Sequence, residues 1–230
     1  MNKFDDVVVG FSGSGESQFV SSYAGLGKTS SGVTTFGEPL QLKTGVASYF
    51  QDFGSGRNRW GDYSATVIDP ADPFTFWTFQ EFVSSEDIWS TQITQLLVGQ
   101  PEIVNNFISF IPNTSTFETN SSGCPTGFSG KFSFNARLTN EGNSSLSHLI
   151  VKTIELTNGD LLRNADYGPG GVGTTLTISK SGGFSDGVLS SGEFVDVPFR
   201  ICLKDQNSFS FFVDVLGLQA SDQSDSLVLR

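Results

Sequence analysis

Apolar and polar residues alternate in short runs along much of this chain, a pattern that predicts β-strands. The most regular alternation has a period of two and places single polar residues between Phe132, Phe134, Ala136 and Leu138. Three further runs, rich in β-branched and aromatic residues, begin at Tyr63, Phe74 and Ile88. Short turn-rich segments separate these three runs, so they predict antiparallel neighbours in a meander. We therefore predict an all-β fold.

The length and composition favour two domains. With 230 residues and 37% apolar content, the chain can bury one large core or two modest ones. Its 26 glycines and 22 phenylalanines suit many short strands joined by tight turns. Residues 113–127 are rich in Ser, Thr, Asn and Gly and predict a linker or loop, as does the stretch 25–37. We place the domains at 1–112 and 123–230, the second with the strand spacing of an Ig-like β-sandwich.

Charge and motif content exclude several classes of function. The net charge is -11 and only 13 basic residues are present, which argues against a nucleic-acid partner. No apolar run is long enough to cross a bilayer, and the first residues do not have the pattern of a signal peptide. The glycine-rich segment 168–173 lacks the Lys-Ser/Thr of a phosphate-binding loop, and we expect no cofactor.

Cys124 and Cys202 are the only cysteines, and they lie far apart in sequence. Their spacing does not suit a zinc site. A disulfide would fit an exported protein, whereas two buried free thiols would fit a reducing compartment. Both alternatives remain open from the sequence.

One segment carries a resemblance to a known family. Arg59-Trp60-Gly61-Asp62-Tyr63-Ser64 is followed by an Asp-Pro turn, by Phe76-Trp77, and then by Glu81 and Trp89. This order resembles the last blade of sialidase-like (BNR/Asp-box) β-propellers in bacterial exported proteins. Residues 192–199 are similar to a strand of an Ig-like module that often follows such propellers. The resemblance implies partial propeller blades before the sandwich, and an extracellular or cell-surface location.

A propeller needs about four or more blades to close, and the first part of this chain has room for barely two. The resemblance therefore implies the C-terminal part of a longer protein. Its open blade edges would favour self-association.

The resemblance also indicates which residues to inspect for catalysis. Sialidases use a Tyr–Glu pair, an Asp acid and three arginines, and the matching residues here are Arg59, Asp62, Tyr63 and Glu81. Only Arg57 and Arg59 are available as arginines in the propeller-like part, so the arginine clamp cannot be assembled. We predict structural roles for these residues and a chain that is not an enzyme.

Exposed aromatic residues are the better functional candidates. Flat rings can stack on sugars at a low cost in conformational entropy, which makes candidates of Trp60, Tyr63, Trp77 and Trp89. The alternative is that these rings pack in the core. Asp69 and Asp72 are candidate calcium ligands, although Asp-Pro turns are common without a metal.

Two hypotheses of function follow. The first is a non-enzymatic extracellular or surface module for adhesion, glycan contact or a structural role, with glycans or other surface proteins as partners. The second is the C-terminal part of a glycoside hydrolase whose catalytic residues lie mostly in missing upstream blades.

Overall fold

The computed structural model describes residues 1–30, 32–54, 56–99, 101–219 and 228–229. The prediction of an all-β fold is confirmed, and the helical structure within these ranges is limited to short 3-10 turns at Asn105–Phe107 and Gly182–Phe184. The strands, in chain order, are β1 (Asp6–Gly15), β2 (Gln18–Ser30), β3 (Val33–Phe36), β4 (Leu40–Lys43), β5 (Ala65–Ile68), β6 (Thr75–Ser85), β7 (Ile88–Leu97), β8 (Glu102–Ile103), β9 (Ile108–Glu118), β10 (Gly130–Asn140), β11 (Leu146–Leu156), β12 (Leu161–Leu162), β13 (Thr175–Thr177), β14 (Val188–Leu189), β15 (Phe194–Leu203), β16 (Phe211–Gln219) and β17 (Val228–Leu229).

The chain forms two compact units, residues 1–100 with 224–230 and residues 101–223. The division falls earlier than the segment 113–122 that separates the two domains predicted from the sequence. Part of the predicted linker is strand β9, which pairs with β10 in the second unit. This strand exposes a run of Pro, Asn, Ser and Thr side chains, so its sequence has the composition of a loop. Backbone pairing rather than side-chain burial makes it a strand.

The first unit contains two four-stranded antiparallel sheets. In one sheet β2 lies between β1 and β3 and also pairs with β4, and in the other the order is β17-β7-β6-β5. The long hairpins β1–β2 and β6–β7 form the centres of these sheets. The predicted loop at 25–37 is wrong, because β2 continues to Ser30 and pairs with β3. The lack of a side chain at Gly27 leaves room for the Phe36 ring, since a Cβ on Gly27 would lie 2.9 Å from the Phe36 side chain.

Strand β1 packs closely against β6 within this unit. A Cβ atom on Gly10 would collide with Thr78 and Gln80, so only glycine permits this approach. Its N–H donates to Thr66 Oγ1 at 3.2 Å, and Ser12 Oγ donates to the Glu81 carbonyl at 2.8 Å. The apolar residues buried in the same unit include Val8, Ala24, Leu26, Phe76, Phe82 and Leu96.

The second unit has two antiparallel sheets around a shared core. One has the order β12-β15-β10-β9, and the other has β13-β11-β16-β8 with β14 also paired to β11. Apolar side chains from both sheets form one buried cluster, which includes Leu138, Val151, Leu162, Phe199, Ile201 and Val215. The alternation at Phe132–Leu138 is confirmed as strand β10, with Ala136 and Leu138 fully buried.

Cys124 and Cys202 form a disulfide whose Cα atoms lie 5.7 Å apart. Of the two alternatives that the sequence leaves open, the structure therefore has the bridge. Cys202 is buried on β15, and the bridge ties the segment between β9 and β10 to that strand. The C-terminal stretch 220–227 lies outside the described residues.

Across the described ranges, the structure contains no helix with the length and apolar character needed to span a bilayer.

Candidate functional site

The predicted site residues lie on and around one hairpin of the first unit, β6–β7. The segment 45–64 is attached to the turn of this hairpin by hydrogen bonds. Val46 N–H donates to the Val83 carbonyl at 3.0 Å, and Asp87 N–H donates to the Ser48 carbonyl at 3.0 Å. The Asp87 carboxylate accepts the Phe50 N–H at 2.7 Å. These bonds hold the Arg-Trp-Gly-Asp-Tyr segment at one end of the sheet.

Trp60 is held by packing within this segment. Its ring meets the Tyr49 ring edge-on, with the centroids 5.0 Å apart. Asn58 braces the same turn, because its side chain accepts the Gln51 N–H and donates to the Tyr49 carbonyl, both at 2.9 Å. The Trp60 ring is half-buried, which makes it a poorer stacking platform than an open ring.

Arg59, Asp62 and Tyr63 are exposed. A guanidinium nitrogen of Arg59 lies 3.7 Å from a carboxylate oxygen of Asp62, and both side chains are more than half exposed. Ion pairs of this kind contribute little to stability, since water screens them. Tyr63 is 78% exposed, so its ring is accessible from solvent.

Glu81 is the buried member of the group. It is 8% exposed, and burial is the main cause that raises the pKa of its carboxyl group. The negative charge of Asp62 also raises this pKa, whereas a hydrogen bond from the Gly61 backbone lowers it. The segment 59–63 therefore reaches Glu81 through Gly61 and Asp62. A buried carboxyl with a raised pKa can hold a proton or donate a hydrogen bond.

The Glu81→Gln variant should have a weaker pH dependence of stability than the wild type. A carboxyl with a raised folded pKa contributes stability below its unfolded pKa, and this contribution is lost as the pH rises through the folded pKa. Glutamine does not titrate, so the free energy of unfolding of the variant should rise relative to that of the wild type at pH values above the folded pKa. Denaturant unfolding of both proteins from acidic to neutral pH measures the difference. The exposed Glu86→Gln variant is the control, and equal slopes in Glu81→Gln and wild type would contradict the assignment.

In the first unit, the outer face of the sheet β17-β7-β6-β5 carries most of the exposed aromatic candidates. Thr78 and Gln80 lie against Gly10, so the alternate residues Trp77, Phe79 and Glu81 point away from the first sheet. Their cross-strand neighbours on β5 and β7 share this face. We call the apolar members the aromatic face, and they are Val67, Trp77, Phe79, Trp89 and Ile93. Among them Trp77 is 38% and Trp89 50% exposed.

Asp69 orients the Trp77 ring. The indole Nε1–H donates to Asp69 Oδ2 at 3.0 Å, and this bond is the largest cause that lowers the pKa of Asp69. The other oxygen of Asp69 accepts the Ala71 N–H at 2.8 Å. Asp72 accepts bonds from Phe74 N–H and Thr75 Oγ1, at 3.0 and 2.7 Å. Both carboxylates thus serve the turn, and no cluster of three or more metal-binding side chains occurs in the described ranges.

Trp77 and Trp89 belong to one face but not to one pocket. Trp77 is paired with Gln95, and Trp89 is paired with Val83. Six residue steps along β6 separate these two pairs, which corresponds to about 20 Å at the rise of a β-strand. The face is therefore an extended strip that is open along β7 at Thr91 and Ile93, whereas Glu81 and Val83 on β6 are buried between the two indoles. Such a strip suits contact with an elongated ligand.

Several residues of the face have no motif that marks them in the sequence. Val67 and Ile93 look like core residues of a meander in the sequence, and they are exposed because this side of the sheet is not covered at their positions. Asn58 and Asp87, which organise the segment beside the face, are ordinary turn residues in the sequence. Only the cross-strand register could have identified the residues of the face.

No family model matches the chain, and no curated protein matches it.

Proposed function

We propose that this chain is a non-enzymatic extracellular or surface module that contacts glycans through the aromatic face. The observation that carries the proposal is the pair of exposed indoles, Trp77 and Trp89, with the half-buried Phe79 on the same face of a regular sheet. Sugar rings have apolar C–H faces that stack on flat aromatic rings, and their hydroxyls need nearby hydrogen-bonding groups. Gln95 and Thr91 provide such groups beside the indoles.

The fixed orientation of Trp77 supports this role. Its Nε1–H is already bonded to Asp69, so the ring has little freedom to lose when a ligand stacks on it. A ring that is ordered before binding contributes more to affinity than a mobile one. Trp89 and Tyr63 extend the accessible aromatic surface toward the hairpin turn.

Two further observations support an extracellular or surface location. The Cys124–Cys202 disulfide is typical of an oxidising compartment. The segment Arg59-Trp60-Gly61-Asp62-Tyr63-Ser64 resembles a blade of exported sialidase-like propellers, and the sheet β17-β7-β6-β5 has the four antiparallel strands of a blade. In the other sheet β3 and β4 both pair with β2. On this basis the first unit is a partial propeller and the second an Ig-like sandwich. The edge strands β3 and β5 are then available for self-association.

Trp77→Ala and Trp89→Ala should each weaken glycan binding about tenfold or more, because each removes an aromatic stacking surface. A glycan array would identify a ligand, and titration calorimetry with that glycan would measure the losses. Phe19→Ala is the matched control, since Phe19 is 46% exposed but lies on β2 in the other sheet. Equal affinity in all four proteins, or no glycan bound by the wild type, would overturn the proposal and favour a purely structural role.

The alternative function is that of the C-terminal part of a sialidase-like glycoside hydrolase. The observation in its favour is Glu81, a buried carboxyl with a raised pKa beside Asp62 and the exposed segment that ends in Tyr63. A fluorogenic sialoside separates the two functions. Turnover that is lost in Tyr63→Phe would establish the hydrolase, whereas glycan binding without turnover agrees with the surface module.

A further inference from the structure

We propose that the second unit binds an extended, basic peptide segment of a partner protein as an added β-strand beside β16. The vacant strand position lies next to Phe211–Asp214, between the free edge of β16 and strand β9 of the facing sheet. Three properties of this position, its unpaired backbone, its apolar lining and its acidic surroundings, define the chemistry of the occupant.

No strand of the described residues pairs with β16 on one side over this stretch. Strand β8 pairs with β16 only at Leu216 and Gly217. The chain of β8 makes its last backbone bond to β16 at Val215, whose carbonyl accepts the Val104 N–H at 2.8 Å. The Asn105 side chain follows, with Oδ1 accepting the Val215 N–H and Nδ2 donating to Asp214 Oδ1, both at 2.8 Å. After Val104 the 3-10 turn Asn105–Phe107 carries the chain into β9, in the other sheet. Within the part of the chain that the structure describes, no strand continues the line of β8 beyond Val104.

Strand periodicity identifies which groups face the vacancy. Val215 directs its N–H and carbonyl toward β8, away from β11. Alternate residues of a strand point their backbone groups to the same side, so Val213 and Phe211 also face outward. No described strand lies beside these two residues on that side. Their N–H and carbonyl groups are a ready template for an incoming strand.

An apolar groove of about 210 Å³ adjoins the free edge. Its lining combines Ile108 and Phe110 from β9 with four apolar residues of β16, and Asn105 is its one polar member. The residues from β16 are Phe211, Phe212, Val213 and Val215. A strand placed here would bury alternate apolar side chains in this groove while its backbone pairs with β16. Strand β9 is also an edge, but Pro112 has no N–H to offer an incoming strand. The edge of β16 is therefore the better template.

Charge selects a basic segment over a second copy of this chain. Glu102 is the first residue of β8, opposite Gly217, and Glu155 lies on β11 opposite Phe212. Asp214 lies on β16 opposite Lys152, the one cation of this group, so the group keeps a net negative charge. From Ile108 to Phe117 strand β9 has no charged side chain. A second copy would bring its own net charge of -11 to this acidic edge, so electrostatic repulsion disfavours it. A strand that alternates valine with lysine satisfies all three properties.

The test uses the full chain and the peptide acetyl-Lys-Val-Lys-Val-Lys-Val-amide. We expect saturable binding, with amide NMR shifts concentrated at Phe211 and Val213. The acidic peptide acetyl-Glu-Val-Glu-Val-Glu-Val-amide should bind at least tenfold more weakly. Equal affinity for both peptides, or shifts on β9 or in the first unit instead, would overturn the proposal.

Two peptides with methylated backbone nitrogens test strand pairing itself. One is methylated at every valine and the other at every lysine, so each removes the N–H groups along one edge of the strand. Because only β16 pairs with the added strand, one of them should lose binding and the other should retain it. The same outcome for both peptides would contradict an added strand.

The Val213→Pro variant tests the protein side. Because the Val213 N–H faces away from β11, proline there leaves the existing sheet bonds in place. It removes a donor and blocks the incoming backbone, so the affinity for the lysine–valine peptide should fall at least tenfold. Unchanged affinity in a folded variant would overturn the proposal. If the variant does not fold, the methylated peptides still decide the question.

Discussion

Reduction of the Cys124–Cys202 disulfide should lower the free energy of unfolding of the second unit by about 4 kcal/mol. The two cysteines are 78 residues apart in sequence, so the bridge closes a long loop and restricts the unfolded chain strongly. Urea unfolding of the wild type with and without dithiothreitol measures the loss without any change of residue. With dithiothreitol, the second unit should unfold at a lower urea concentration, whereas the first unit, which has no cysteine, should unfold as before.

The double variant Cys124→Ala/Cys202→Ala should reproduce this loss under oxidising conditions and add a small packing cost, since Cys202 is fully buried. Dithiothreitol should then have no further effect. A wild-type midpoint that is the same in both redox states would mean that the bridge does not restrain the unfolded state.

Phe199→Ala should destabilise the second unit by about 3–5 kcal/mol. Phe199 is fully buried, and its ring centroid lies 4.9 Å from that of Phe134, 5.5 Å from that of Phe211 and 5.7 Å from that of Phe110. These rings come from both sheets, so truncation opens a cavity where the sheets meet and relaxation fills it only in part. Chemical denaturation followed by circular dichroism measures the change.

Phe194→Ala is the matched control on the same strand. Phe194 is 41% exposed, and its ring lies 3.8 Å from the Arg137 guanidinium carbon, so its loss should cost about 1 kcal/mol or less. If the two variants were equally destabilised, the cluster around Phe199 would not be the centre of this core. A loss at Phe199 of less than about 1.5 kcal/mol would lead to the same conclusion.

Local sequence was a good guide to the hairpins. The three runs that begin at Tyr63, Phe74 and Ile88 became β5, β6 and β7, because β-branched and aromatic residues suit a pleated surface and turn residues separate them. The turn at Asp69 and Asp72 was also predictable from the sequence, since each carboxylate accepts the backbone N–H two residues further on. The role of Asp69 in orienting Trp77 was not predictable, because the hydrogen bond from Trp77 to Asp69 depends on strand register.

Polar edge strands were the main failure of sequence reading. The edge strands β9 and β3 lie in stretches of Ser, Thr, Asn and Gly that have the composition of loops. Their side chains contribute little burial, so neither periodicity nor hydrophobicity reports them. The neighbouring strands decide their conformation by supplying backbone hydrogen bonds. The placement of a boundary inside 113–122 failed for the same reason, since β9 pairs with β10 across it.

The sequence by itself determined the all-β class, the central hairpins and the residues from which a site could be chosen, because strand periodicity and turn chemistry are local properties. It did not separate Trp60, which packs on Tyr49, from Trp77 and Trp89, which are open to solvent. Tertiary structure made that distinction, and it also joined the cysteines and left part of one edge of β16 without a described neighbouring strand. Each of these depends on which sheet face or edge is covered by residues distant in sequence.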